Sequence, residues 1–307
     1  MSRVKSNFSI KDLENISGIK AHTIRIWEKR YEMLSPDRTD TNIRRYSLHS
    51  LQKLLNITLL YKHGFKISKI ASLDQEEIPI IVREIALKSN SEQVSINALK
   101  LSMINFDTVL FDATFEEILL QNDFDFVFIN IFMPLMNELG ILWQTNAISA
   151  SHEHFITNLI KQKIHIHTEF LQKEYTSKSK NKTFVLYLPE NEVHELSLLF
   201  LNYYILKNGY RTIFLGQSLQ KESLETLMSV NSEICFVTYL TVEPKKEIIN
   251  DYLHDFYNIL LRDSNVHLAI LGPQQININL DQLPRNIHLF KTVDAFQQKF
   301  LQTSIFV

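Results

Sequence analysis

The chain is poor in the residues that build stapled, metallated or nucleotide-clamping folds. Its 307 residues include one cysteine, Cys235. No internal disulfide framework and no multi-thiolate metal site can form, and a lone thiol suits a reducing compartment. Six glycines leave little for a Gly-rich phosphate loop. The first apolar run of the C-terminal region leads into PENEVHE rather than G-x-G-x-x-G, which argues against a nicotinamide site of the usual kind. No apolar stretch approaches the roughly 18 residues that cross a bilayer, and no basic-then-apolar leader opens the sequence. A soluble cytoplasmic protein without a membrane partner is expected. Apolar residues at 45% against 21% charged are enough to bury a core.

What is present is unevenly distributed. Residues 1–73 hold 14 Lys and Arg against 6 Asp and Glu, and the remainder holds 18 against 28. The overall charge of −2 thus conceals a basic N-terminal segment on an acidic chain, which implies a polyanionic partner. That segment predicts a short helix over 10–17, a turn at Gly18 and a second helix over 21–31, the pattern of a helix-turn-helix. Ser9 and Asp12 suit its first cap. Pro36 ends the helical run, 37–45 reads as a small β-wing, and helices follow over 48–63 and 67–72. The second helix would enter the major groove with His22, Thr23 and Arg25 nearest the bases and Lys29, Arg30 and Tyr31 behind them. Arg38, Arg44, Arg45 and Tyr46 on the wing suit phosphate contacts. Trp27 reads as core, and Arg30 has an alternative as a surface partner of Glu28 or Glu32.

The rest of the chain predicts two further units. Residues 74–175 read as a bundle of four or five helices, with only Pro79, Pro134 and Gly140 as breakers. TSKSKNK at 176–182 reads as a linker. From 183 to 307 short apolar runs alternate with helical stretches, predicting a Rossmann-like (flavodoxin-like) parallel sheet with ligands at the carboxyl ends of its strands. The expected fold is therefore multidomain: an all-α winged helix-turn-helix over 1–73, a helical bundle over 74–175 and an α/β domain over 183–307.

Thr23, Arg25, Trp27, Glu28, Pro36, Arg38, Arg44 and Tyr46 reproduce, in order, T-x-R-x-[WY]-E, P-x-R and R-x-Y. On these the N-terminal 73 residues resemble the MerR family of transcription regulators, and the W-E-K-R-Y form resembles its branch with a cobalamin-binding light-sensor domain. Two further motifs support that likeness: Trp143 followed after nine residues by Glu153-His154, similar to W-x9-E-H, and Glu192-Val193-His194, similar to E-x-H. The resemblance implies a double-stranded DNA operator, a homo-oligomer (dimer or tetramer), repression, and adenosylcobalamin as cofactor. It implies that Trp143, Glu153 and His154 cover the cofactor's upper face and that His194 is the lower ligand of cobalt, its ring oriented by Glu192. The chain departs from the pattern at Ser197, where glycine is expected, at Thr238 of Thr238-Tyr239-Leu240, and at Gly272-Pro273 in place of a glycine pair. Those changes would narrow the passage for the cofactor's nucleotide tail. Gln144 follows the lid tryptophan where light-responsive relatives carry histidine. The H-x-H pairs at 152/154 and 165/167 do not share a helix face. Two alternatives stay open: a cobalamin-independent regulator whose α/β domain serves oligomerisation or partner binding, and the corrinoid carrier of a methyltransferase. On the leading reading the protein is not an enzyme.

Overall fold

A computed structural model describes residues 7–74, 76–88, 92–144, 148–173, 182–229, 233–262 and 264–301. It divides into two compact units, 1–160 and 161–307. The first opens with β1 (Asn7–Phe8), α1 (Ile10–Ser17) and α2 (Ala21–Tyr31). Ser9 and Asp12 form a reciprocal capping box. Gly18 ends α1 at φ +72°, a conformation that costs glycine least. The wing is β2 (Asp37–Arg38) and β3 (Arg44–Ser47), with β1 added on the far side of β3. The expectation missed β1, since two residues carry no periodic signal. Helices α3 (Leu48–Lys62) and α4 (Ile67–Ala71) follow.

In the same unit come α5 (Glu77–Lys88), α6 (Glu92–Asn105) and α7 (Thr108–Leu119). Then α8 (Phe124–Phe126) continues through a π-helical turn (Val127–Phe132) into α9 (Met133–Gln144), and α10 spans Ala150–Lys173. Every residue of α6 from Val94 to Ile104 is buried, so it is the central helix and has no solvent face. Lys100 sits on it with its side chain only 5% exposed and its ammonium 2.6 Å from Glu138 of α9. α6 and α5 pack against α3.

The second unit is α/β. Strands β4 (Lys182–Pro189), β5 (Arg211–Leu219), β6 (Glu233–Tyr239), β7 (His267–Leu271) and β8 (Ile287–Leu289) form one sheet in the order β5-β4-β6-β7-β8. All its pairings are parallel. All eight residues of β4 are buried, as a central parallel strand requires. The helical elements include α11 (Leu196–Lys207), 3₁₀ segments (Lys221–Leu227, Pro273–Asn277 and Leu280–Gln282), α12 (Ile249–Phe256) running into a π turn (Tyr257–Leu261), and α13 (Val293–Phe296) running into another (Gln297–Leu301). The helical stretch after β5 is a 3₁₀ segment rather than an α-helix, and the helix after β4 begins only at Leu196, which leaves 190–195 as a loop. The short β8 was not anticipated. Of the linker, only Lys182 lies among the described residues. Among those residues, no helix is long and apolar enough to cross a membrane.

Glu138→Ala leaves a buried ammonium without its carboxylate and is expected to cost about 3 kcal/mol in urea denaturation of the full chain. Lys100→Met combined with Glu138→Ala is expected to recover most of that loss. A double variant no more stable than the single would refute the pairing.

Candidate functional sites

In the winged unit one carboxylate organises the surface. Glu28, on α2, accepts from Arg44 Nε at 3.0 Å and from the Tyr46 hydroxyl at 2.9 Å. This fastens β3 to the helix that carries His22, Thr23 and Arg25. Tyr46, expected at the DNA, is a core residue instead: its ring is 0% exposed, and burial together with the Glu28 contact pushes its pKa well up. Arg44, also expected at the DNA, is 31% exposed, and its bond to Glu28 raises its pKa. Both act as framework. Trp27 is buried and meets Tyr61 edge-on at 5.1 Å. Arg30 lies over the Tyr31 ring at 5.4 Å rather than pairing with Glu28. Arg25, Lys29, Arg38 and Arg45 are exposed and make no ion pair with any described residue. Arg38 donates to Asn42 Oδ1 at 2.6 Å, inside the wing turn. His22 Nε2 and Thr23 Oγ1 lie 3.3 Å apart at the start of α2. Sequence reasoning missed the role of Glu28, because its partners lie 16 and 18 residues away.

In the α/β unit the strand order reverses between β4 and β6, the place where such sheets bind ligands. The loops after those two strands are joined there by Glu192, which is 0% exposed. Oε1 accepts from the backbone of Val193 (2.9 Å) and His194 (3.0 Å) and from His194 Nδ1 (2.6 Å). Oε2 accepts from the backbone of Thr241, Val242 and Glu243 at 3.2, 2.7 and 2.9 Å. Burial pushes the carboxyl pKa up, but the His194 contact and the N–H bonds from Val242, Glu243 and His194 outweigh it and hold the value at about 2. An ionised Glu192 requires the His194 proton on Nδ1, so in the neutral ring Nε2 carries the lone pair. The His194 side chain is 55% exposed. Val193, Val242 and Ile276 are 56%, 47% and 89% exposed. They sit in the segments that follow β4, β6 and β7.

The altered motif positions fall nearby. Ser197 is half-buried in the first turn of α11. Thr238 is 0% exposed, and its hydroxyl has no hydrogen-bond partner. Gly272 has φ +104°, and a Cβ there would lie 2.4 Å from the Leu240 carbonyl oxygen. The loops after β6 and β7 are stitched together at this point. Leu240 N–H donates to Leu271 O (2.8 Å), Gln274 N–H to Leu240 O (3.1 Å), and Gln274 Nε2 to Val242 O (2.7 Å).

In the helical unit Trp143 falls within α9, and its side chain lies outside the described residues. Glu153 accepts from Thr157 at 2.9 Å and lies 3.4 Å from His154, whose side chain is 73% exposed. The neighbouring His152 is buried, accepts or donates at Ser149 Oγ (2.9 Å), stacks on Phe106, and has its pKa lowered by burial.

Residues 8–77 match the family model "MerR HTH family regulatory protein", and residues 95–167 match the model "B12 binding domain". Two curated proteins of Myxococcus xanthus are similar. The HTH-type transcriptional repressor CarH is 23% identical over 71% of this chain and 73% of its own length. The HTH-type transcriptional repressor CarA is 23% identical over 78% of each. Among solved structures, the Methanosarcina barkeri monomethylamine corrinoid protein aligns with a TM-score of 0.49 at 12% identity, covering 71% of this chain and 94% of that one.

Glu192→Gln replaces one acceptor oxygen by an N–H₂ group facing N–H donors. It is expected to destabilise the α/β unit by about 3 kcal/mol at neutral pH. The carboxyl pKa is depressed from 4.5 to about 2, so its contribution is whole above 4.5 and fades as pH falls toward 2. Denaturation curves of the two proteins should therefore converge in acid, and a pH-independent gap would contradict the assignment.

Proposed function

We propose, from a chain that joins a MerR-type helix-turn-helix to a B12-binding-type helical domain, that this protein is a transcription regulator that grips duplex operator DNA with its winged unit and ligates a corrinoid cobalt through His194. The observation that carries the cofactor half is the Glu192–His194 pair. A buried carboxylate fixes the tautomer that offers Nε2, which is how a histidine ligand is prepared for a metal. The donor set therefore fits a metal ligand, and the unsatisfied Thr238 hydroxyl suits a polar group of the ligand. Bound cobalamin would supply a metal whose axial ligation changes with its chemical state. Trp143, Glu153 and His154 are proposed as cofactor contacts from the helical unit. The DNA half rests on Arg25, Lys29, Arg38 and Arg45, cations held out by a frame in which Glu28 occupies Arg44 and Tyr46. Repression, the adenosyl form of the cofactor, and control through a dimer or tetramer are the finer parts of this reading, in keeping with the two repressors it resembles. So are the three-domain division at 73 and 175–183 and a cytoplasmic, nucleoid-associated location. The protein acts as a regulator and not as an enzyme; a corrinoid carrier of a methyltransferase would leave the basic wing without a task.

One observation favours a second reading. The backbone contact at Gly272 and the Gln274 bonds close the crevice between the loops after β6 and β7, which suits a regulator that works without cobalamin. The two readings part on one experiment. Full-length protein mixed with adenosylcobalamin and separated from excess should carry a corrin absorption spectrum, with the shift that imidazole ligation gives, and His194→Ala should lose the shift. A colourless wild-type protein would defeat the cobalamin reading and leave the second. For the DNA half, Arg45→Ala should weaken operator affinity about tenfold in anisotropy titrations and flatten its salt dependence. Arg44→Ala should in addition lower the melting temperature. Unchanged affinity in Arg45→Ala would overturn the wing assignment.

A further inference from the structure

Among the described residues of 7–74, three large apolar side chains are exposed: Ile26, Ile43 and Tyr61, at 51%, 55% and 44%. Tyr61 meets the Trp27 ring edge-on. Ile43 belongs to the wing turn, where its N–H donates to Thr39 Oγ1 at 3.0 Å. Ile26 stands midway along α2. An α-helix turns about 100° per residue. The buried Ile24 and Trp27 mark the face of α2 turned to the core, and Glu28 marks the side turned to β3. The face away from the core then carries His22, Arg25, Ile26 and Lys29, all exposed. Along the helix Ile26 is one turn from His22 and from Arg30, and three residues from Lys29, so its neighbours on that face are polar or cationic. A branched apolar side chain in such a field gains free energy only when something apolar covers it.

We propose that Ile26 is a specificity-determining residue, which rests on a thymine 5-methyl group in the major groove of the operator. The inference builds on the DNA half of the reading above and extends it to the sequence of the site. Cations on the same face hold phosphates and carry no sequence information by themselves. An isoleucine cannot read the donors and acceptors of the base edges. The apolar group that the major groove offers is the thymine methyl, and covering it distinguishes thymine from the other bases. The operator should therefore hold a thymine opposite the middle of α2.

The test takes full-length protein and a random duplex library, selects the tightest-bound sequence and measures its affinity by anisotropy. Each thymine of that duplex is then replaced in turn by uracil, which keeps the base pair and removes only the methyl. At least one replacement should weaken binding of the wild-type protein about fourfold, the worth of one buried methyl group. Ile26→Ala should lose about fourfold on the thymine duplex and bind the thymine and uracil forms alike. Alanine favours the helix and replaces an exposed side chain, so the variant should melt no lower than wild type. It gives up no phosphate contact, so its salt dependence should match the wild type's, in contrast to Arg45→Ala. If no duplex binds saturably, the DNA reading fails and the proposal with it. If a selected duplex binds but uracil changes nothing, if Ile26→Ala still tells thymine from uracil, or if it flattens the salt dependence, the DNA reading stands and the role of Ile26 is overturned.

Discussion

A charge taken out of water has to be answered by hydrogen bonds or by an opposite charge, and three buried or half-buried carboxylate contacts meet that demand at the joints of this protein. Glu28 answers Arg44 and Tyr46 and sets the wing against α2. Glu138 answers Lys100 in the centre of the bundle. Glu192 gathers six N–H donors from two loops and holds the histidine beside it. In each case the anion fixes the relative position of elements that apolar packing alone would let slide. Loss of any one should be felt as misplacement of a functional surface as much as lost stability.

The consequence is a division of labour among residues of one type. Arg44 and Arg45 are neighbours on β3, yet pleat alternation sends them to different tasks. The first is tied to Glu28, while the second is exposed and makes no ion pair with a described residue. The same split separates Glu192 from Glu190 and Glu195 on the loop after β4. Glu192 is fully buried and bonds the ring of His194, while Glu190 is exposed and Glu195 pairs with Lys161.

What could be read from the sequence was local. Ser9 and Asp12 are three residues apart, and their capping box was predictable, as were α1, α2 and the Gly18 turn. Glu192 and His194 are two apart, so a carboxylate–imidazole pair could be inferred from the motif. Long-range partners could not. Nothing in Tyr46 itself reveals that Glu28, 18 residues earlier, holds its hydroxyl in the core. Nothing in PENEVHE reveals that Thr241, Val242 and Glu243, some 50 residues later, supply N–H groups to Glu192. The strand β8 was missed because three residues of mixed polarity carry no period.

The anchoring of both wing and helix on Glu28 bears on how such a protein can diverge. Arg25 and Lys29 project outward from that frame and take no part in its contacts. Substitutions at those two positions therefore leave the scaffold as it is, whereas a change at Glu28 would have to be matched at two other positions at once.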